Sequence, residues 1–549
     1  MQATSANTLS CSRLWGSSGE LWTPEDRLPD FSWAGYHSGN DPLPDLPKGV
    51  NIKDFGAVGD GNHDDTDAFL KAISEVQGAI EIPTGRYVIS KILEINRSNV
   101  VLRGESPDKS VLVCPVHLSD IRPDWGATTT GERTSNYSWS GGILWFKGER
   151  QTTALSSVQG SHKRGSRFIK VSTADSLSIK QRILIRQTDT PDNSLAAHLY
   201  SNDPGETREL KGSTTARLVC QIVSISGNQV EIDRPLRFGI KPEWKPELLA
   251  FNPDVTESGA ENLGFEFPQT DYPGHFKELG HNAIALENVV DCWIKNIRIH
   301  NADSGIFGFG SLCSVVDVKF TCSRQPDVVS GCTGHHGVYF QGDDNLFTRF
   351  TYENTFIHDI SISIGSGNVF SDGKGADLCF DHHIRLPTKT SSRIYIWAAA
   401  AAHGCAAVAG VSKHLPNGKE PDQLVCSTYQ GDFPQYVPGG VADPSSNNSP
   451  GWMLLNFADE GSTAIGTDSE GEVYRYTLEV SADGKAWRRC VDRQDNIRDA
   501  LHEYIQLDSP VTARYARLTN IRNVGFGTSH SCNALIMKNL IFSAKLSHS

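Results

Sequence analysis

Residues 50–73 place the tightest limit on what this chain can fold into. They form a short alternating strand, a glycine-rich turn at 59–61 and then a helical pattern that begins after Asp64 or Asp65. Either aspartate can cap the helix. The apolar residues of the pattern share one helix face: Ala68, Phe69, Ala72 and Ile73. A covering helix followed by short strands predicts a solenoid, because the first coil of a solenoid has no neighbour to cover its core.

Short strands with alternating apolar and polar residues recur after this start. They are predicted at 79–89, 100–104, 261–267, 292–299, 313–320, 346–350, 357–363 and 368–370. Alternation over four to eight residues is typical of a strand with one buried face. Cys292 and Cys313 begin consecutive blocks and are 21 residues apart, which suits one turn of a solenoid. Residues 110–250 show no clear repeat.

The start of the solenoid resembles a known group of proteins. The residues that carry the resemblance are Asp54-Phe-Gly-Ala-Val-Gly-Asp60, Asp64-Asp-Thr66, Ala68-Phe69 and Pro83-x-Gly-x-Tyr87. They resemble the N-terminal region of the pectate-lyase-like, rhamnogalacturonase and epimerase superfamily. The resemblance implies an all-β fold, a right-handed parallel β-helix with an N-terminal capping helix, over residues 48–411. Members of that superfamily include lyases, hydrolases, epimerases and phage tailspikes, so the motif does not fix an activity.

The two ends of the chain have different patterns. Residues 1–47 read as an extended arm that aromatic residues anchor to the body: Trp22, Phe31, Trp33 and Tyr36. After about residue 412, strands at 474–487 and 511–518 and an Asp-Gly turn indicate antiparallel pairing. This part resembles the discoidin, or coagulation factor 5/8 type C, fold. We therefore expect a β-sandwich domain at 412–549, which either binds sugar or packs against the β-helix.

The composition of the chain limits its possible binding partners and its cellular location. The formal net charge of −13 repels phosphate backbones, so no nucleic acid partner is expected. No apolar run is long enough to cross a membrane, and no apolar signal core is present. We expect a secreted protein in its mature form, of unspecified oligomeric state. The twelve cysteines lack paired zinc-site spacing and fit either disulfides or buried thiols.

Chemistry-bearing residues concentrate between Asp327 and Arg385. The candidate catalytic residues are His336, Tyr339, Lys374, Asp377, Asp381, His383 and Arg385. The candidate substrate-binding residues are His335, Asp343, Asp344, Arg349 and His358. Rungs of a parallel β-helix stack about 4.8 Å apart, so residues of successive rungs meet on one face. Because neighbours on a strand alternate sides, we expect His335 and His336 to point in opposite directions.

These residue types suit a polysaccharide lyase acting on a uronate-containing glycan. Such an enzyme needs a base for the C5 proton, an acid for the leaving oxygen and a cation for the carboxylate. The candidates are His336, His383 or Lys374 as base, Tyr339 as acid, and Arg385, Lys374 or Arg349 as cation. The expected partner is a polysaccharide or oligosaccharide, and calcium is the cofactor that could assist. No residue is assigned to a metal, because the consecutive Asp381, His382 and His383 would diverge on a strand.

Two other functions stay open. A glycoside hydrolase needs two carboxylates, about 6.5–9.5 Å apart if it inverts. Two of Asp343, Asp344, Asp377 and Asp381 could supply them. However, Gly334-His-His-Gly337 and Asp343-Asp344 stand in a different order from the motifs of polygalacturonase-like hydrolases. A non-catalytic glycan-binding β-helix is the third possibility. Each single residue also has a plain structural explanation, since Asp pairs commonly mark turns.

Overall fold

The computed structural model describes most of the chain up to residue 371 and short stretches after it. The described ranges are 32–128, 131–199, 212, 214–328, 330–371, 374–375, 377–380, 384–387, 393–396, 406–407, 426–429, 455–458, 473–482, 485–495 and 515–524. The helices in these ranges are Thr66–Glu75, Leu118–Ile121 and Ser194–Leu199, with 3-10 turns at Tyr36–Gly39, Ile52–Phe55, Asn136–Ser138 and Pro242–Trp244. None of these helices is long and apolar enough to cross a membrane.

The body is the expected parallel β-helix. Its first sheet runs in the order Val50–Asn51, Gly78–Ile82, Val100–Gly104, Gly259–Glu266, Trp293–His300, Ser314–Thr321, Leu346–Tyr352 and Val369–Ser371. All these neighbours pair in parallel. Short strands extend its edge: Asp60–Asp64, Gly85–Val88, Ser110–Val113 and Lys374–Gly375. The predicted strands between 261 and 370 are confirmed.

The second sheet forms another side of the coil. It runs in the order Leu93–Ile95, Leu144–Lys147, Asn282–Val290, Ser304–Ser311, Gly334–Gln341, Phe356–Ile364 and Asp377–Phe380, all parallel. Ile384–Pro387 then adds to it in antiparallel orientation. The chain alternates between the two sheets, so each rung contributes a strand to both.

Stacked rungs build one apolar core, because each rung repeats the same inward positions. A buried ladder runs through the first sheet: Ile80, Leu102, Ala260, Ile294, Val315, Phe347 and Phe370. Burying each large aliphatic side chain stabilises the fold by about 1.5–3 kcal/mol. Cys292 and Cys313 are free thiols buried beside this ladder, which settles their role as core residues.

The N-terminal end is closed as the sequence predicts. Helix Thr66–Glu75 buries the expected apolar face. Asp65 is the N-cap residue, and the preceding Asp64 accepts a hydrogen bond at Oδ1 from the Thr66 backbone N–H at 3.1 Å, which satisfies the first N–H of the helix. The Asp65 carboxylate instead accepts from the backbone N–H groups of Val58 and Gly59 and fixes the preceding turn.

The described part of the arm lies on the body. The Tyr36 N–H donates to Ser314 Oγ at 2.9 Å, and the Tyr36 ring meets the Trp293 ring edge-on at 5.5 Å. The Arg234 guanidinium lies 5.0 Å from the Trp33 ring. The predicted anchoring by Trp33 and Tyr36 is therefore confirmed. Trp22 and Phe31 fall outside the described residues.

A separate antiparallel sheet is inserted between Lys147 and Gly259. Its order is Ala154–Ser157, Glu247–Ala250, Arg182–Thr188, Thr215–Ser226, Gln229–Ile232 and Phe168–Lys170. A bridge between Val158 and Val171 joins its first and last strands, so the sheet closes on itself. Arg150–Gln151 pairs with Asn252–Pro253 where the insertion leaves and rejoins the coil. Trp125–Ala127 and Arg133–Ser135 form a further hairpin.

The strands described after residue 390 are antiparallel. Val473–Ser481 pairs with both Arg488–Asp492 and Tyr515–Val524, which confirms the predicted strands near 474 and 518. Leu455–Ala458 pairs with Arg393–Ile396. Cys426–Tyr429 pairs with Ala406–Ala407 and with Val369–Ser371 of the first sheet. The boundary at 411/412 and the discoidin-like domain stay predictions.

Candidate functional site

A row of aromatic side chains crosses the outer face of the second sheet. The sheet register aligns Trp145, Ala285, Phe307, Tyr339 and Ser361 on successive rungs. Tyr339 faces outward, because its neighbour Phe340 packs against Phe347 and Phe370 of the first sheet. We call Trp145, Phe307, Phe309 and Tyr339 the aromatic row.

One end of the aromatic row is partly exposed to solvent, which we call its open end, and charged side chains surround the other end. Phe309 and Tyr339 are partly buried and meet edge-on at 5.4 Å, whereas Phe307 is fully buried. At the other end, Trp145 Nε1 donates to Glu287 at 3.0 Å, and Lys147 Nζ lies 4.9 Å from the Trp145 ring. Flat rings with hydrogen-bonding groups beside them suit the apolar faces and hydroxyls of a sugar chain.

Histidines cluster beside the open end of the aromatic row. His336 and His358 occupy the same register position on neighbouring rungs, and their rings are 4.9 Å apart. The His336 ring also stacks on Tyr339, with 4.9 Å between centroids and 15° between planes. The prediction that successive rungs bring these residues together is confirmed.

The prediction that His335 and His336 point in opposite directions is wrong. Both side chains are buried, and their rings stack 4.0 Å apart at 20°. The alternation of the strand is also interrupted at the next two residues, Gly337 and Val338. A Cβ added to Gly337 would collide with the core ring of Tyr352, and the next residue, Val338, is also in the core. Two consecutive residues thus face inward, which brings His336 and Tyr339 to the same outer side.

Residues 272–278 place further polar groups against the histidines. Glu278 is buried, accepts hydrogen bonds from Ser138 Oγ at 3.0 Å and from the Tyr272 hydroxyl, and lies 3.4 Å from His335 Nδ1. Burial raises the pKa of Glu278 to about 7. Burial also raises the pKa of Tyr272 well above its ordinary value, so Tyr272 keeps its proton. Glu278 can therefore exchange a proton near neutral pH.

Three groups of side chains within the described ranges have spacing that could hold a metal ion. They are His275 with His335 and His358, His117 with His281 and Asp303, and His37 with Glu257 and Asp291. In each group, one ligand atom per residue lies within 4.8 Å of the others. A separate cavity of about 210 Å³ lies on the first-sheet side, lined by residues that include Glu266, Phe267 and His300.

Several sequence-predicted residues lie away from the histidines. Arg349 is on the first sheet, exposed, with its Nε 2.7 Å from Asp317 Oδ1. The Lys374 backbone pairs with Thr351 of the same sheet. Asp377 and Arg385 belong to the last two strands of the second sheet, and their side chains are not described. Asp381 and His383 fall outside the described residues.

Asp343 and Asp344 are buried in ion pairs with the inserted sheet. Asp344 Oδ2 lies 2.9 Å from Arg234 Nη1, and Asp344 Oδ1 pairs with Arg237. Asp343 Oδ2 lies 3.3 Å from Arg217 Nη2. A carboxylate held between two buried guanidinium groups, as Asp344 is, suits attachment of the insertion to the β-helix. Their assignment to substrate binding stays a prediction.

Sequence reasoning missed part of this site. Tyr272, His275 and Glu278 lie in a stretch without strand periodicity, and only the fold brings them to His335. Phe307 and Phe309 gave a usable signal, since they alternate with glycine on a strand one rung before His336.

One family of known proteins matches the N-terminal part of the chain. The family described as rhamnogalacturonase A/epimerase, pectate lyase-like, matches residues 49–118. The expected resemblance of the N-terminal segment is therefore confirmed over that segment.

Individual relatives match short parts of the chain. The pre-neck appendage protein of Bacillus phage B103 is 42% identical over 64 residues, which is 12% of this chain and 7% of that protein. Plasmin and fibronectin-binding protein A of Streptococcus pneumoniae is 30% identical over 112 residues, 18% of this chain and 15% of that protein. The chain thus spans a small share of the length of these relatives.

Solved structures match over a longer stretch at low identity. The tailspike protein gp49 from Pseudomonas phage LKA1 has 16% identity and a TM-score of 0.31, covering 58% of this chain and 59% of that one. The A-module of mannuronan C-5 epimerase AlgE4 from Azotobacter vinelandii has 11% identity and a TM-score of 0.23, covering 58% and 64%.

Proposed function

We propose that the protein is a carbohydrate-active enzyme that cleaves a uronate-containing polysaccharide by β-elimination on the outer face of the second sheet. The observation that carries the proposal is the stack of His336 on Tyr339 at the open end of the aromatic row. It sets an imidazole and a phenol side by side, next to a surface suited to sugar rings.

The two side chains fit the two proton transfers of β-elimination. A neutral His336 imidazole takes the C5 proton of the uronate, and the Tyr339 hydroxyl gives a proton to the leaving glycosidic oxygen. Gln341 Nε2 donates a hydrogen bond to the Tyr339 oxygen at 2.6 Å. This bond fixes the position of the phenol oxygen, while the Tyr339 ring stacks on His336.

Charges at the far end of the row suit an acidic chain. Lys147 and Arg122 both lie over the Trp145 ring, with the Lys147 Nζ and Arg122 Cζ atoms 4.9 and 5.7 Å from its centroid. Glu94, which pairs with Arg122, and Glu287, which accepts from Trp145, balance these two charges, so the cations would contact single carboxylates of an acidic chain without making this end of the row positive. An extracellular location follows from such a substrate.

Non-catalytic glycan binding is the second candidate, and the aromatic row itself favours it, since stacking requires no proton transfer. For the hydrolase alternative, Asp343 and Asp344 are engaged in ion pairs with arginines. The carboxylate pair would then have to come from Asp377 and Asp381, the other two candidates, whose side chains lie outside the described part of the structure.

The experiment incubates the protein with acidic and neutral polysaccharides and follows ultraviolet absorbance and reducing ends together. A rise in both signals supports β-elimination. Reducing ends alone would indicate hydrolysis, and retained affinity with both signals flat would indicate binding alone.

Variants then test the assigned residues on the substrate so identified. His336→Gln and Tyr339→Phe should each lower kcat by about 10²–10⁴-fold, the usual contribution of general acid–base catalysis. His63→Gln is the matched control, since His63 is exposed on the strand Asp60–Asp64. Full activity of both test variants would overturn the assignment.

A further inference from the structure

We infer that His275, His335 and His358 form a binding site for a divalent transition metal ion, for which Zn²⁺ is the natural probe. One ring nitrogen from each lies within 4.8 Å of the other two. Imidazole nitrogens are good ligands for Zn²⁺ and neighbouring first-row metals, and three of them leave a fourth coordination position open. This site is distinct from the proton-transfer pair His336 and Tyr339.

The three ligands come from three separate parts of the chain. His335 and His358 lie on neighbouring rungs of the second sheet, on Gly334–Gln341 and Phe356–Ile364. His275 comes from the segment that crosses their ends, with its ring 4.6 Å from His335 and 5.8 Å from His358. A bound metal would therefore tie this segment to the β-helix.

Burial and charge favour a cation at this place. His335 and His358 are each 1% exposed, while His275 is partly exposed, which gives an ion a way in. Glu278 lies 3.4 Å from His335 Nδ1 and is itself buried. In this position its carboxylate can hold the imidazole in orientation and balance the charge of the ion, as outer carboxylates do at histidine–metal sites.

The other two groups are less suited to a metal. Asp303 is paired with the buried Arg324, whose Nη1 lies 3.0 Å from Asp303 Oδ1, so a cation beside His117 and His281 would meet a positive charge. His37 bonds to Asp41 and Glu257, and Asp291 is paired with Arg182. Burial alone would lower the pKa of His37, but these two hydrogen bonds raise it, which favours its protonated form over a ligand.

The test is calorimetric titration of Zn²⁺ into the full chain, free of any histidine tag and stripped with a chelator. We expect one Zn²⁺ per chain at this site. Glu278→Gln should weaken binding by about 10–100-fold, the usual cost of losing an outer partner. His275→Gln removes a ligand and should weaken it further. Because His275 is partly exposed outside the strands, this variant should fold, and its circular dichroism would confirm that.

Matched controls separate this group from the others. His117→Gln and His63→Gln should bind Zn²⁺ as the wild type does. The visible spectrum of the Co²⁺-loaded wild type should also show the intense bands of a low-coordinate nitrogen site. A wild type that binds no Zn²⁺, or binding that survives His275→Gln and is lost in His117→Gln, would overturn the inference. None of these measurements uses the proposed glycan reaction, so the two proposals can fail separately.

Discussion

Replacing Asp344 by alanine should remove the main electrostatic attachment between the inserted sheet and the β-helix. The Asp344 side chain is 1% exposed, and those of its partners Arg234 and Arg237 are 2% and 4% exposed. Asp344→Ala leaves two guanidinium groups buried without their anion. Breaking a buried pair by removing one partner costs about 3–5 kcal/mol, so we expect a loss in that range.

Guanidinium chloride unfolding followed by tryptophan fluorescence measures this loss. The signal reports on all eleven tryptophans, and one of them, Trp33, lies beside the broken pair, since Arg234 Cζ is 5.0 Å from its ring. Asp317→Ala is the matched control, since its pair with Arg349 is exposed, with side-chain exposures of 39% and 56%. Such pairs contribute about 0–1 kcal/mol. Equal unfolding midpoints for the two variants would refute the reasoning that burial sets the cost.

Three further predictions concern stability. Gly367→Ala should lower the free energy of unfolding by at least about 1 kcal/mol. The reason is that Gly367 has a φ of +79° and that an added Cβ would overlap Asp344. The same unfolding midpoints measure this loss. Burial raises the pKa of Glu278 from 4.5 to about 7. The Glu278 carboxyl should therefore contribute about 3 kcal/mol of stability that is lost as the pH rises through that window. Because His281 acts in the opposite sense over an overlapping pH range, urea titrations should reveal this contribution as the difference between the metal-free wild type and Glu278→Gln. Burial lowers the pKa of His281 from 6.5 to about 4. The stability contributed by neutral His281 should fall as the pH drops through that window, and it is measured as the difference between the wild type and His281→Gln. A variant whose stability depends on pH as the wild type does would contradict the assignment for that residue.

The fold could be predicted where the sequence repeats. Each rung repeats the same inward positions, so the pattern at 292–299 predicts a strand that pairs with the next one at 313–320. The inserted sheet could not be placed in this way. Its strands are antiparallel and pair across large sequence separations, as Ala154–Ser157 does with Glu247–Ala250. Local alternation shows such strands but not their partners.

The candidate site was predictable only for residues that rung stacking brings together. His336 and His358 meet because their strands are neighbours in the second sheet. Glu278 reaches His335 through a segment that has no periodic pattern. Asp344 was a reasonable site residue from sequence, but its partner Arg234 is 110 positions away and only the fold joins them. Charge partners at such distances leave no local signal in one sequence.

The most direct test of the proposed function is a crystal structure of the His336→Gln protein soaked with an oligosaccharide of the substrate found in the polysaccharide panel. We predict a sugar ring against Tyr339 and Phe309, with its uronate C5 facing position 336. Sugar bound instead in the first-sheet cavity beside Glu266 and His300, with the aromatic row empty, would contradict the account.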